Sequence, residues 1–322
     1  MQNKKSEIRK MASVKDKIKD FFTKKPVPHS AFQISSLYLT GGHFSPSDGK
    51  IKNHFVFPLE REIVQPSFNK KNIKKPELLE RKIKEGIERL RISDHRVGFI
   101  LPELCQKAFV FSFDSLPPSQ KEREQIIRFR VKKQIPLLAR DARVTFDLIK
   151  SNDQVKILAS IIRAAVVEEY ENFFSQLKLK VKTIGAPIIC LSNLLDWEKE
   201  KNFLLVNIEE DSYSLLAVLN SGIVLCRQKS STHEYQNQES LGQKNATIVQ
   251  EIENTANFIE DREKKKIDSL WLRIGLLDSE EETFSYLKGE LTFPVKRIES
   301  LLKFNLTAQE KKMLSPLIGQ IL

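Results

Sequence analysis

Cysteine is scarce: three residues, Cys105, Cys190 and Cys226, stand in a chain of 322. They are far apart and odd in number, so neither a disulfide framework nor a zinc site follows. A reducing cytoplasm fits them best. Histidine is as thin. His29, His43, His54, His95 and His233 are scattered, and no motif sets a nucleophile beside His95 or His233. Glycine (11) and proline (13) are too few for a fibrous or collagen-like chain. No apolar run reaches the roughly 18–20 residues that span a bilayer. The best candidate, Ser212 to Cys226, is shorter and is edged by Asp211 and Arg227. The N-terminus is charged throughout and lacks the apolar stretch of a signal peptide. The P-loop, G-x-G-x-x-G, G-x-S-x-G, H-E-x-x-H and the EF-hand loop are all missing. Their absence removes the best-marked enzyme classes.

Positive charge is plentiful and uneven. The net charge is +11. Residues 1–26 carry +6, residues 70–89 carry +4 and residues 121–143 carry +5, so the remainder is net −4. Such fields attract nucleic acid, anionic membrane or an acidic partner, and are silent on fold. Within the first of these stretches Val14, Ile18, Phe21 and Phe22 fall at helical spacing among lysines that include Lys15 and Lys19, until Pro26 and Pro28 end any helix. Two readings stand: a short interfacial helix on an anionic bilayer, or a solvated tail, since a short lone helix is marginal in water.

At 40% apolar residues the rest can bury a sizeable core, and its length allows two domains of about 100–200 residues. Residues 31–59 alternate as strands on either side of Asp48-Gly49, predicting a β-hairpin. Leu79, Ile83, Ile87 and Leu90 predict a helix over 77–92, with Pro76 at its start. Strands are expected at 97–101, 107–113, 144–149, 155–163 and 181–184. A basic helix capped by Ser119 runs to Gln134, and another covers 166–177. After a join near 187–202 come strands at 203–208, 214–219 and 223–227, the last two linked through Asn220-Ser221-Gly222. A polar loop over 229–244 precedes a helix at 246–263. A strand at 269–274, a helix near 280–289, a strand at 295–298 and a helix from Thr307 complete the series. Asp278, Glu280, Glu281 and Glu282 suit a solvated helix N-terminus better than a metal site, and Glu168 and Glu169 suit a first helical turn. Two mixed α/β halves result, each with a central sheet.

The order of elements resembles the PilM family, the actin-like proteins of type IV pilus assembly, with the cytoplasmic domain of the type II secretion protein GspL as a cousin. Leu116-Pro117, a charged helix ending Gln134-Ile135-Pro136, and Phe146-Asp147 carry one part of it. Ile157 to Ala165, the helix 166–177 and Lys178-Leu179-Lys180 carry another. Leu204 to Glu209, the hairpin through Gly222 to Arg227, the helix from Ile248 to Ile259 and the strand Leu270 to Gly275 carry the rest. The resemblance covers residues 31–322. It implies a two-lobed actin-like (ribonuclease H-like) α/β fold, preceded by a basic tail over 1–30. The first lobe would span 31–190, with a small subdomain inserted over about 77–165, and the second lobe 191–322.

Departures from the family weigh as much. Actin-like ATPases cradle phosphates with two Asp–hydrophobic–Gly hairpins, glycine for close backbone approach and aspartate for the metal. At the matching positions stand Gln33 and Ser35, then Asn207 and Glu209. Glu209 brings negative charge where phosphate would sit, and like charges about 4 Å apart repel by about 4 kcal/mol at an effective dielectric near 20. The stretch from Arg227 to Ile248 is too short for the family's adenosine-covering subdomain, and Gly275 stands alone where the family has a glycine pair. The resemblance therefore implies a scaffold with a degenerate nucleotide site, no cofactor and no catalysis. Its expected partner is a PilN-like, membrane-anchored pilus or secretion protein. Lys15, Lys19, Phe21, Phe22, Arg128 and Lys132 are the candidate contacts for that partner or for anionic membrane. Two other classes remain: an ATPase with altered loops, which nucleotide would stabilise, and a nucleic-acid binder, whose affinity would fall steeply with salt. The aromatics near the basic patches lack a stacking pattern, so nucleic acid is not expected.

Overall fold

The computed structural model describes residues 28–322 except 47–48, 137, 139, 150–154, 232–239 and 276–278. The tail residues Lys15, Lys19, Phe21 and Phe22 lie outside the described residues. The chain opens with β1 (Ser30–Ile34), β2 (Tyr38–Phe44) and β3 (Ile51–Pro58), then α1 (Pro76–Leu90) and β4 (Arg96–Ile100). Next come β5 (Gln106–Phe113), α2 (Gln120–Gln134), β6 (Ala142–Ile149), β7 (Val155–Arg163), α3 (Ala164–Gln176), β8 (Lys180–Gly185) and α4 (Pro187–Ser192). The second half holds β9 (Asn202–Ile208), β10 (Ser212–Leu219), β11 (Gly222–Ser230), α5 (Leu241–Glu263), β12 (Ser269–Ile274), α6 (Glu280–Glu290), β13 (Val295–Arg297) and α7 (Ala308–Ile321).

Two five-stranded sheets repeat one plan. The first runs β3-β2-β1-β4-β8 and the second β11-β10-β9-β12-β13. In each, three strands form an antiparallel meander, and two later strands join parallel on the far side of the first. This is the doubled arrangement that the resemblance implies. The remaining strands make a separate sheet, β5-β7-β6, backed by α2. It starts at 106, not near 77, because β4 is hydrogen-bonded into the first sheet and α1 packs on that sheet.

Local chemistry explains the elements. Pro76 opens α1, and its fixed φ and missing N–H cost nothing in a first turn. Helix α1 buries Leu79, Ile83, Gly86 and Leu90. Gly86 and Gly41 both make room for the ring of Phe55: a Cβ on either would lie within 2.4 Å of a ring carbon. Ser119 caps α2, whose buried residues are Ile127 and Val131. Capping boxes of Ser240 with Gln243 and Thr307 with Glu310 start α5 and α7. Helix α5 therefore starts five residues before the predicted 246. The apolar run 32–39 is not one strand but two, broken where the N–H groups of Leu37 and Tyr38 turn onto the Ser35 hydroxyl. At the β10–β11 turn the left-handed residues are Asn220 (φ 49°) and Ser221 (φ 63°) rather than Gly222. Glu169 is in no first turn, since α3 starts at Ala164; its carboxylate accepts the N–H groups of Asn72 and Ile73 at 2.8–2.9 Å.

The layers set up the site. Phe32, Phe99, Tyr170 and Phe174 fill the core between the first sheet, α1 and α3. The opposite face of that sheet, through Ala31, Phe44 and Ile100, packs on Leu314, Leu317 and Ile318 of α7. A helix from the late part of the chain thus completes the early lobe. Gly319 allows it to cross α4 closely, for a Cβ there would fall 1.9 Å from the Cys190 carbonyl oxygen. The second sheet buries Leu204, Val206 and Leu272 under α5 and α6. Its other face meets α4 and, through Ala108 and Leu158, the three-stranded sheet.

Candidate functional site

The β1–β2 turn of the first lobe and the β9–β10 turn of the second face each other, as the doubled plan requires. All four sequence-predicted cleft residues come together there and are buried: Gln33, Ser35, Asn207 and Glu209. Between them lies a side chain that sequence reasoning missed. Arg273 on β12 is fully buried. Its Nη1 donates to Glu209 Oε1 at 2.6 Å and to Asn207 Oδ1 at 2.8 Å, and its Nη2 donates to the Tyr38 hydroxyl at 2.9 Å. Its Nε donates to the Lys312 carbonyl of α7 at 3.0 Å.

That last acceptor has a covalent origin. In an α-helix the carbonyl of residue 312 receives the N–H of residue 316. Position 316 is proline, inside α7, and has no N–H. The orphaned carbonyl takes the guanidinium instead, together with the Ser315 hydroxyl at 2.7 Å.

Tyr38 completes the linkage. Its hydroxyl donates to Glu209 Oε1 at 2.6 Å and accepts from Gln33 Nε2 at 3.1 Å. With the Arg273 bond this uses one donor and two lone pairs, the full capacity of a phenol. Burial raises the pKa of this hydroxyl above its usual range, against the pull of Arg273. Gly275 makes the space for Glu209, since a Cβ there would lie 2.2 Å from Glu209 Oε2. A further buried carboxyl group, Glu103, lies against Asn207. Glu103 accepts from Gln228 Nε2 at 2.9 Å and from Asn207 Nδ2 at 3.3 Å. Burial pushes its pKa up to about 7, against the bond from Gln228. Asp211 is also raised, by burial and then by Glu209.

These residues do not fit a metal–triphosphate. No aspartate stands at 33 or 207 to hold the metal's waters. The N–H groups of Leu37 and Tyr38, which glycine would leave open to phosphate, are taken by Ser35 Oγ at 3.2 Å each. The space between the turns holds the Arg273 side chain. One expectation is corrected here: Glu209 does not present a free negative charge, because Arg273 neutralises it, so the obstacle to phosphate is occupancy rather than repulsion. Among the described residues, no group of three His, Cys, Asp or Glu is placed to hold a metal ion. The acidic cluster at α6 is likewise not simply solvated. Glu280 is clasped by Lys312 and by Arg297, the latter at 3.2 Å.

A cleft of about 270 Å³ remains beside the turns, lined by Arg61, Glu210 and Asp211 among others. Arg61 of the first lobe pairs with Glu210 of the second at 2.7 Å. The remaining candidates lie elsewhere. Arg128, on α2, donates to the Ala142 carbonyl at 3.0 Å, and Lys132 is exposed on the same helix. Neither has a hydrogen bond to the cleft residues. Among the described residues no helix is long and apolar enough to cross a membrane.

The two repeated sheets, the helices crossing between them and the facing turns define an actin-like fold. A structure of the type IV pilus biogenesis complex PilM–PilN has TM-score 0.71 and 14% identity to this chain, covering 92% of it and 97% of that chain. A Bacteroides thetaiotaomicron protein described as having an actin-like ATPase fold is similar at TM-score 0.51 and 9% identity, covering 88% of this chain and 93% of its own. The cytoplasmic domain of EpsL, an inner membrane component of the Vibrio cholerae type II secretion system, is similar at TM-score 0.50 and 7% identity, over 89% and 94%. No family model and no curated protein sequence matches the chain.

Proposed function

We propose that the protein is a non-catalytic scaffold of a type IV pilus or type II secretion-like assembly machine. In this reading it sits on the cytoplasmic face of the inner membrane and binds the cytoplasmic N-terminal segment of a PilN-like, membrane-anchored partner. The observation that carries the reading is the buried Arg273 guanidinium, bonded to Glu209, Asn207, Tyr38 and Lys312 between the two turns. A side chain held from both lobes closes the space in which an actin-like ATPase would work. The similarity to the PilM–PilN structure over 92% of the chain supports the choice of machine. The excess Lys and Arg of α2, Arg128 and Lys132 among them, and Lys70, Lys71, Lys74 and Lys75 just before α1 supply a field that steers an acidic or membrane-tethered segment. Lys15, Lys19, Phe21 and Phe22 supply the lipid contact in the same reading.

Two measurements test it. A ligand at 100 times its Kd stabilises by about 2.7 kcal/mol. At about 2–4 °C per kcal/mol, that raises Tm by about 5–10 °C. Millimolar magnesium ATP is expected to leave Tm unchanged, and a rise of that size refutes the closed cleft. Separately, tagged protein from its native cells is expected to bring down a membrane-anchored pilus or secretion component. Recovery of none would sink the scaffold assignment while leaving the closed cleft intact.

A further inference from the structure

Both the three-stranded sheet and the second five-stranded sheet end on a strand that lacks a ladder partner on its outer side. Among the described residues β5 pairs only with β7, and β11 only with β10. The two edges run beside one another along a cleft of about 370 Å³, within the range of about 300–1,000 Å³ usual for ligand clefts. An edge strand offers a row of backbone N–H and C=O groups that its own sheet does not use. Most natural edges are covered or charged, and these two carry charge of one sign. Lys107, Arg227, Lys229 and Arg262 line the cleft, and no carboxylate does. Lys229 pairs with Glu251, and Arg262 lies 3.5 Å from Glu263. Lys107 and Arg227, both half-buried, make no ion pair among the described residues; their cations lie over the rings of Phe68 and Phe258 instead, at 5.7 and 5.4 Å.

One more feature looks into the same space. Phe258 of α5 is 41% exposed, one of few large apolar side chains left open. Arg227 and Arg262 flank it at 5.4 and 5.9 Å from its centre, the pairing of aromatic and arginine that dominates binding hot spots.

We infer that the cleft between β5 and β11 is a docking site for an acidic, extended peptide segment of a protein partner. The segment's main chain lies along a strand edge, its carboxylates meet Lys107 and Arg227, and an apolar side chain covers Phe258. Charge chooses the occupant. A second copy of this chain brings the same +11, and a single strand of nucleic acid needs several exposed stacking platforms, where of the three rings lining this cleft Phe258 alone is exposed, Phe109 being half-buried and Phe111 buried. The inference is independent of the machine proposed above, and its surface is separate from α1 and from Arg128 and Lys132.

The probe is a fluorescein-labelled octapeptide in which Asp and Glu alternate with Val and one Phe, measured by anisotropy. Its analogue with Lys for every acid is the control. The acidic peptide is expected to bind with an affinity that falls as salt rises. Phe258→Ala and Arg227→Glu are each expected to weaken it by about tenfold or more, with circular dichroism melting of both variants matching the wild type. Backbone hydrogen exchange is expected to slow at 106–113 and 222–230 on binding. Absence of binding at millimolar peptide, equal affinity for the two peptides, unaltered affinity in both variants, or protection confined to α1 and α2 would each overturn the inference. So would tighter binding of a single-stranded oligonucleotide that shows the same sensitivity to Phe258→Ala and Arg227→Glu.

Discussion

Replacing Arg273 by methionine removes one charge from a fully buried pair and keeps most of the volume. The guanidinium makes four bonds, to Glu209, Asn207, Tyr38 and the Lys312 carbonyl. Its loss leaves the Glu209 carboxylate buried with no cation. A unit pair about 4 Å apart is worth about 4 kcal/mol at an effective dielectric near 20. Breaking one side of a buried pair costs about 3–5 kcal/mol in practice, so about 4 kcal/mol is expected from Arg273→Met. At about 2–4 °C per kcal/mol the melting temperature falls by about 8–16 °C. Glu209→Gln alone costs a similar amount, since it strands the guanidinium. The double variant removes both charges together and should lose far less than the sum. A coupling of about 2–3 kcal/mol is expected in a double-mutant cycle read by urea unfolding. Additive single effects, or an Arg273→Met protein that melts with the wild type, would show that the pair does not hold the cleft together.

Glu103 makes a pH-dependent contribution. Its folded pKa, raised to about 7, lies above its unfolded value of 4.5, so the native state keeps a proton that the unfolded chain has lost. Stability therefore falls as pH rises from about 4.5 through about 7. Urea midpoints at pH 5, 6, 7 and 8 should show that slope, and Glu103→Gln should flatten it; an unchanged slope assigns it to other groups. Gly275→Ala pushes a methyl against the Glu209 carboxylate, which Arg273 and Tyr38 hold in place. A loss of about 1–3 kcal/mol is expected in the same assay, and a neutral result would mean that Glu209 moves freely.

Most of the fold was legible because its signals are local. Pro76, Ser119 and Thr307 mark helix starts that need only their own neighbours. Period-two alternation marked the strands, and the break at Ser35 lies where it slips by one residue, in the step of three from Ile34 to Leu37. The cap of Ser240 and Gln243 was hidden in a polar stretch that reads as loop. The boundary of the small subdomain was misplaced because α1 and β4 look the same whether they belong to one sheet or another, and only pairing decides. At the cleft, the four turn positions were found by resemblance, but their chemistry was not. Arg273 meets partners 39, 64, 66 and 235 positions away, beyond any window of spacing. The one local sign was a lone cation in the otherwise apolar stretch Leu270 to Ile274.

The way α7 closes the early lobe bears on how the chain comes off the ribosome. All five strands of the first sheet have been made once Gly185 is out, yet the residues that cover Ala31, Phe44 and Ile100 belong to 314–318. At about 5–20 residues per second, that sheet waits on the order of ten seconds with one greasy side bare. A nascent protein with this topology needs shelter during the interval, from a holdase or from slow collapse. Stalling translation anywhere between the two points should leave an aggregation-prone half rather than a free-standing module.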